Sequence, residues 1–369
     1  GIPASLVGLF FALPLLISPL RIWLGYHSDA HPLWGLRREP FIIFGSLLAG
    51  VGIAAAAWMV IHGQPLKLLV ILLTMAGFIA YGLGKNLSSN TFEALLADKF
   101  SEDARPRAVT FYKVAMFVGI MLGALLLGRL LSPFSTSRLF VIVIAAALGA
   151  FVMAVLAVAG QEPRTNEILS ESELAREVPF VHTFKDLIWS DPQIRRFFIY
   201  VMLIVVGTLG QDVLLEPYAA LVLGMSVGET TRLTAIWGAG TLLAMGAAGA
   251  WLVKRFGYKR VVRAGLILGI TVFTGLILSG ALKLTGVFLA LVFLLGVSTG
   301  LSASGMLSAV ITFVAPERAG LLMGVWGVAH NLGQASGNLL TGGLVDLMRG
   351  FGGTPLTAYG LVFALEALL

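Results

Sequence analysis

Apolar runs, most of them 20 residues or longer, recur along the whole chain and leave it few ways to fold. They lie at 3–24, 40–61, 66–97, 108–131 and 138–160, and after a polar segment at 194–223, 228–253, 261–282, 285–312, 318–346 and 355–369. A helix of such length crosses the ~30 Å hydrocarbon core of a bilayer. A soluble all-α core has no use for so many unbroken runs. Charge is scarce as well: 12% of the 369 residues are charged and 58% are hydrophobic, about half the charged fraction of an ordinary soluble domain. The fold class that follows is an all-α polytopic membrane protein. The 44 glycines suit it, because small residues let membrane helices approach closely.

The net charge of +6 does not indicate a nucleic-acid partner. Its cations are spread over short loops instead of gathered on one face with interleaved aromatics. The absence of cysteine excludes disulfides, thiolate catalysis and Cys-ligated metals. The five histidines (His27, His31, His62, His182, His330) lack zinc-ligand spacing. YGLGKN at 81–86 resembles the tail of a phosphate loop, but it lacks the first glycine and has Asn86 where Ser or Thr belongs. No nucleotide site and no catalytic arrangement is expected, and the chain reads as a non-enzyme.

Eighteen of the 25 Lys and Arg fall on one side if the 25–39 loop and the polar segment at 161–193 share that side. By the positive-inside bias that side is cytoplasmic. The linker begins acidic, then places Phe180, Phe184, Leu187 and Ile188 at helical spacing, the pattern of a short amphipathic helix on the membrane surface. Asp191–Pro192 is an N-cap and first-turn signal for the next span. Ser226 with Glu229 forms a capping box at another.

GYHSDAHPLWGLRR (25–38) is echoed by AWLVKRFGYKR (250–260), and GIPASLVG (1–8) by GMSVGETT (224–231). Aligning the two copies leaves the span at 194–223 without a partner before residue 1. We therefore expect two parallel six-helix halves, with the first helix missing and the last truncated. The organisation becomes a bundle at 1–160 (helices 2–6), a cytoplasmic linker at 161–193 and a bundle at 194–369 (helices 7–12). Six plus six helices with Gly25, Asp29, Gly35, Arg37 and Arg38 after the second helix resembles the major facilitator superfamily. In that reading the motif is a conformational latch. Asp29 faces a helix N-terminus, and the arginines seek phosphates or carboxylates.

Ionisable groups at membrane depth are functional hypotheses by default, at a cost of about 2.5–3.5 kcal/mol each. In a continuous span from Phe197, Asp212 would lie about 22 Å along and Glu216 about 28 Å along, on one face at i and i+4, with Pro217 loosening the helix beside them. Three roles stay open for this pair: a proton site, a ligand or hydrogen-bond partner for the magnesium of a tetrapyrrole, and internal structure. Gln211 belongs to the same group. Lys85, Asn86 and Glu93 on the span 66–97, and His330, Asn331 and Gln334 on the span 318–346, are further candidates.

QDVLLEPYAALVLGMSVGETTRLTAIWGAG (211–240) and SPLRIWLGYHSDAHPLWGLRREPFI (18–42) sharpen the reading. So do SDPQIRRFF (190–198) and, more loosely, RPRAVTFYKVAMFVGIMLG (105–123). Together they resemble the PucC/LhaA group, the bacteriochlorophyll-delivery branch of the superfamily. The resemblance implies an assembly factor that binds or hands over chlorophyll or bacteriochlorophyll, with a carotenoid as a further candidate ligand. It implies chlorophyll-binding proteins of a photosystem or light-harvesting complex as partners, besides the lipid bilayer. It also implies a photosynthetic membrane, either thylakoid or the bacterial inner or intracytoplasmic membrane. No free metal ion is expected; magnesium held in the pigment prefers hard oxygen ligands, which favours Gln211, Asp212 and Glu216. A proton-coupled transporter of a small solute is the alternative.

Overall fold

A computed structural model describes residues 2–20, 23–24, 31–63, 67–101, 104–162, 192–209, 213–313 and 319–368. The described residues outside turns are helical. Five helices precede the linker: α1 Ala4–Leu16, α2 Glu39–His62, α3 Leu68–Lys99, α4 Arg105–Leu130 and α5 Thr136–Val158. After it come α6 Pro192–Leu209, α7 Leu215–Leu223 and α8 Val227–Ala247. A π-helical turn, Ala248–Leu252, then leads into α9 Val253–Phe256. The chain finishes with α10 Tyr258–Ala281, α11 Thr285–Phe313, α12 Ala319–Gly350 and α13 Pro355–Leu368. Six of the described helical stretches are long and apolar enough to cross a membrane, and the shorter Ala4–Leu16, Val114–Leu130, Phe198–Gly207 and Pro355–Leu368 are also apolar. Gly25, Asp29, Gln211, Asp212 and the expected surface helix at Phe180–Ile188 lie outside the described residues.

Two boundaries differ from the sequence reading. The first helix stops at Leu16, not near residue 24. There Ile17 and Ser18 donate to the carbonyls of Leu13 and Leu15, and Pro19 has no N–H with which to extend the ladder. The expected span 194–223 is two helices, since α6 closes at Leu209 and α7 opens at Leu215. The capping box forms as expected: Ser226 accepts from the Glu229 backbone, and the Glu229 carboxylate accepts from the Ser226 N–H at 2.8 Å.

The largest core lies among α7, α8, α10, α11 and α13. Tyr218, Phe288 and Phe363 are fully buried there, with Leu214, Leu233, Leu276 and Val292 around them. Before the linker the buried cluster is small, made of Ile42, Leu95 and Val158.

Helices α1–α5 meet α6–α13 mainly through α1 on α12 and α4 on α8. The close approaches lie toward the side opposite the linker, here called the far side. A Cβ on Gly8 would stand 2.4 Å from the carbonyl oxygen of Asn338, and one on Gly228 would stand 2.6 Å from that of Gly128. The two crossings are therefore backbone against backbone, and any larger residue would separate them. At the far tip Asp346 of α12 caps α1: its Oδ1 accepts the Ala4 N–H at 2.8 Å and its Oδ2 the Ser5 N–H at 2.7 Å. Pro3, the N-cap residue, supplies no side-chain cap, so the cap comes from the other half.

The natural absence of cysteine makes this closure measurable. Spin labels at Phe11→Cys and Leu347→Cys report the α1–α12 separation. Asp346→Ala removes a cap worth about 1 kcal/mol, so the open population should rise roughly fivefold. Gly8→Leu should widen the distance distribution further. An unchanged distribution in both variants would show that these contacts do not hold the far side shut.

Candidate functional site

The helix break places the site. Leu209 lies about 26 Å along α6 from Pro192 at 1.5 Å per residue, so α6 and α7 part within the membrane, in its far-side third. Leu209, Val213, Leu214 and Leu215 are all buried. The first bond of α7 runs from the Tyr218 N–H to the Leu214 carbonyl at 2.9 Å, and no side chain caps Leu214. Pro217 sits in the first turn of α7, where helical N–H groups lack intrahelical acceptors anyway. It therefore starts a helix and does not loosen a continuous one. Glu216 shares that first turn, where a carboxylate is favoured by the helix dipole. Glu216 stands in α7, and Gln211 and Asp212, the other members of the expected group, lie outside the described residues.

Glu216 is half-buried and accepts a hydrogen bond at 3.4 Å from Thr234 Oγ1 of α8. Trp237 lies one turn further along α8, on the same face. It packs against both hydrophobic clusters of the second half. Its Nε1 is buried and, among the described residues, has no hydrogen-bond partner. A buried indole N–H normally finds an acceptor, which makes this one a candidate donor to a ligand. Tyr218, by contrast, is committed. Its hydroxyl donates to the Leu276 carbonyl at 2.9 Å, and its ring meets Phe363 edge-on at 5.0 Å. These contacts fix α7 against α10 and α13.

Glu366 of α13 is 5% exposed, a carboxyl buried inside a membrane helix that sequence reasoning passed over. It lies eleven residues along α13 from Pro355. The available signal was depth along the span, not residue type. Trp237 carried no such signal, since a tryptophan among apolar residues reads as packing.

The other candidates are dispersed. Lys85 is exposed on α3, in the first half. Asn86 is buried and donates at 3.4 Å to the carbonyl of Pro14, near the end of α1. That bond gives its amide a structural task. Glu93 is half-buried further along α3. His330, Asn331 and Gln334 are half-buried on α12, and His330 hydrogen-bonds the Asn331 side chain. Among the described residues no three His, Asp or Glu side chains converge as a metal-ion site.

The described part of the latch motif forms a network on the linker side. Leu33 and Leu36 pair across Trp34 (φ 55°) and Gly35 (φ 76°), the tight turn that needs positive φ at both central residues. The turn aims the following backbone at α5. Glu162 accepts the N–H groups of Arg37 at 2.9 Å and Arg38 at 2.8 Å. Glu39 reciprocates, accepting from Glu162 at 2.7 Å and Gly160 at 3.3 Å. Arg38, only 7% exposed, donates from Nε to Asp98 at 2.9 Å. Glu39, Asp98 and Glu162 were not read from the sequence as partners. Asp98 and Glu162 lie 60 and 125 residues from the arginines they meet, and Glu39 lies 123 from Glu162, which hides them.

A family described as PUCC protein matches residues 1–369. Protein PucC of Rhodobacter capsulatus is 32% identical, over 100% of this chain and 83% of that protein. Bacteriochlorophyll synthase 44.5 kDa chain, also of Rhodobacter capsulatus, is 31% identical over 97% and 85%. Among solved structures, a D-xylose-proton symporter superposes with TM-score 0.73 at 16% identity, over 99% of this chain and 86% of that one. A bacterial homologue of the human lysosomal transporter Spinster, inward-facing and unoccupied, gives 0.69 at 16% identity over 100% and 86%. The fold is that of the major facilitator superfamily, and the protein is integral to the membrane.

Glu162→Ala strips the acceptor from three backbone N–H groups, those of Arg37, Arg38 and, at 3.4 Å, Glu39. Each unsatisfied group costs about 1–3 kcal/mol, so the thermal midpoint in detergent should fall by several degrees. Glu162→Gln, which keeps one acceptor oxygen, should fall less. Equal midpoints for the two variants would mean that the carboxylate is not what holds the turn.

Proposed function

We propose that this chain, which belongs to the PUCC protein family, binds chlorophyll or bacteriochlorophyll and passes it to light-harvesting or other chlorophyll-binding proteins as they assemble. The observation that carries the reading is the broken membrane helix. It sets the Glu216 carboxylate beside α8, which bears the unpartnered Trp237 N–H. The relative named as a bacteriochlorophyll synthase chain supports the same direction. The donor set suits the pigment. A carboxylate oxygen is a hard ligand for magnesium, and an indole N–H suits a carbonyl on the ring's edge. When bound, the pigment would supply a magnesium ion that takes a hard oxygen ligand. The chain contributes Glu216 to hold it, Thr234 to orient that carboxylate, and a packed apolar wall that excludes water. Handing over a pigment makes and breaks no covalent bond, so we class the chain as a carrier and not an enzyme. We place it in a photosynthetic membrane, thylakoid or bacterial inner or intracytoplasmic, with the linker cytoplasmic. Carotenoid is a second candidate ligand.

A proton-coupled transporter of a small solute is the other reading. The far-side closure favours it, because two halves that touch toward one side of the membrane are built to rock. With the linker cytoplasmic, the arrangement is inward-facing, the same state in which the Spinster homologue was solved.

The absorption spectrum of the protein purified in mild detergent from a phototroph separates the two. Pigment bands should co-purify, weaken in Glu216→Gln, and lose about fivefold in affinity in Trp237→Phe, the loss of one hydrogen bond of about 1 kcal/mol. A colourless protein that takes up solute under a pH gradient would overturn the pigment reading.

A further inference from the structure

The two copies of the basic turn are neutralised in opposite ways. In the first half Arg38 is buried on Asp98, and the turn backbone is held by Glu162. The second copy, where α9 meets α10, carries Lys254, Arg255, Lys259, Arg260 and Arg263 within ten residues, all of them exposed. No Asp or Glu occurs between Glu229 and Glu317, and among the described residues none of these five cations is paired with a carboxylate. Gly257, at φ 79°, folds the two helices together and brings the five charges onto one turn.

Beside the charges stands an aromatic pair. Trp251 is 51% and Phe256 42% exposed, and they meet edge-on at 5.7 Å. The Arg255 guanidinium lies 4.9 Å from the Trp251 centroid and 5.6 Å from that of Phe256. Exposed tryptophan at the end of a membrane helix marks headgroup depth, and stacking holds Arg255 at that depth.

We propose that this turn seats the phosphate of an anionic phospholipid in the linker-side leaflet. Lys254, Lys259, Arg260 and Arg263 supply the cations, Arg255 a fixed guanidinium, and Trp251 with Phe256 the apolar rim on which the acyl chains begin. The external phosphate does for the second half what Asp98 and Glu162 do for the first. A dissolved phosphate offers the same charge but no use for the aromatic rim, so the lipid is the occupant. The site is independent of the pigment reading.

Each cation near an anionic leaflet contributes about 1 kcal/mol, roughly fivefold in affinity. The full chain, in nanodiscs of phosphatidylcholine with a minor share of phosphatidylglycerol, is released into detergent and its retained lipid counted by native mass spectrometry. Wild type should keep phosphatidylglycerol in preference to phosphatidylcholine. Lys259→Gln/Arg260→Gln/Arg263→Gln should lose that preference by tenfold or more, while Arg349→Gln on the far side should not. If the triple variant does not fold, Arg260→Gln alone should lose about fivefold. Equal retention in the cation variants, or displacement of the lipid by millimolar inorganic phosphate, would overturn the assignment; the second result would make it a soluble-anion site.

Discussion

Lipid offers no hydrogen bonds, and most of this structure follows from that. Every backbone N–H and C=O within the hydrocarbon must be paired by the protein itself. An uninterrupted helix does so internally, and only its ends need help. Several helix ends here are met by a side chain from elsewhere. Asn86 of α3 donates to the Pro14 carbonyl near the end of α1, and Asp346 of α12 takes the first N–H groups of α1. Glu162, beyond α5, takes the N–H of Arg38 at the start of α2. Much of the polarity inside this chain marks the end of a helix.

The junction of the two halves obeys a different constraint. Lipid tails are as apolar as leucine, so no hydrophobic effect drives helices together, and close packing must do it. Gly8 on Asn338 and Gly128 on Gly228 let backbones touch, and dispersion over such crossings is collectively large. At the α4–α8 crossing side chains fill in around that contact, Arg232 against Gly128 and Met121 against Gly238. The Asp346 cap adds a directional bond at the far tip that is made only when the halves are together.

How much of this is legible in the sequence depends on sequence distance. Helix count, order and approximate ends come from apolar runs, and the Ser226–Glu229 cap from a three-residue spacing. The helix break at Leu209 escapes that reading because Pro217 looks like a flaw in one span; it is the first-turn residue of another. Asp346 and Glu162 are invisible as caps because their targets lie 342 and 125 residues away. Trp237 and Glu366 are missed for another reason. Glu366 matters for its burial and Trp237 for one buried N–H without an acceptor among the described residues, and neither property belongs to a residue type.

The repeat shows how one inherited shape can take two roles. Both turns need positive φ, at Trp34 and Gly35 in the first copy and at Gly257 in the second, and both present basic residues on the linker side. What differs is the supply of acids. Around the first turn, Glu39, Asp98 and Glu162 draw the arginines and the backbone inward, which ties α2, α3 and α5 into one rigid corner. Around the second, from Glu229 to Glu317 the sequence has no acid at all. Nothing within α10 or α11 can therefore draw those cations inward, and they stay at the surface. The first half thus settles the charge of its turn by internal contacts, and the second leaves it facing the membrane surface. The two corners therefore differ in what can reach their charge: the first is closed by its own carboxylates, and the second lies open on the linker side.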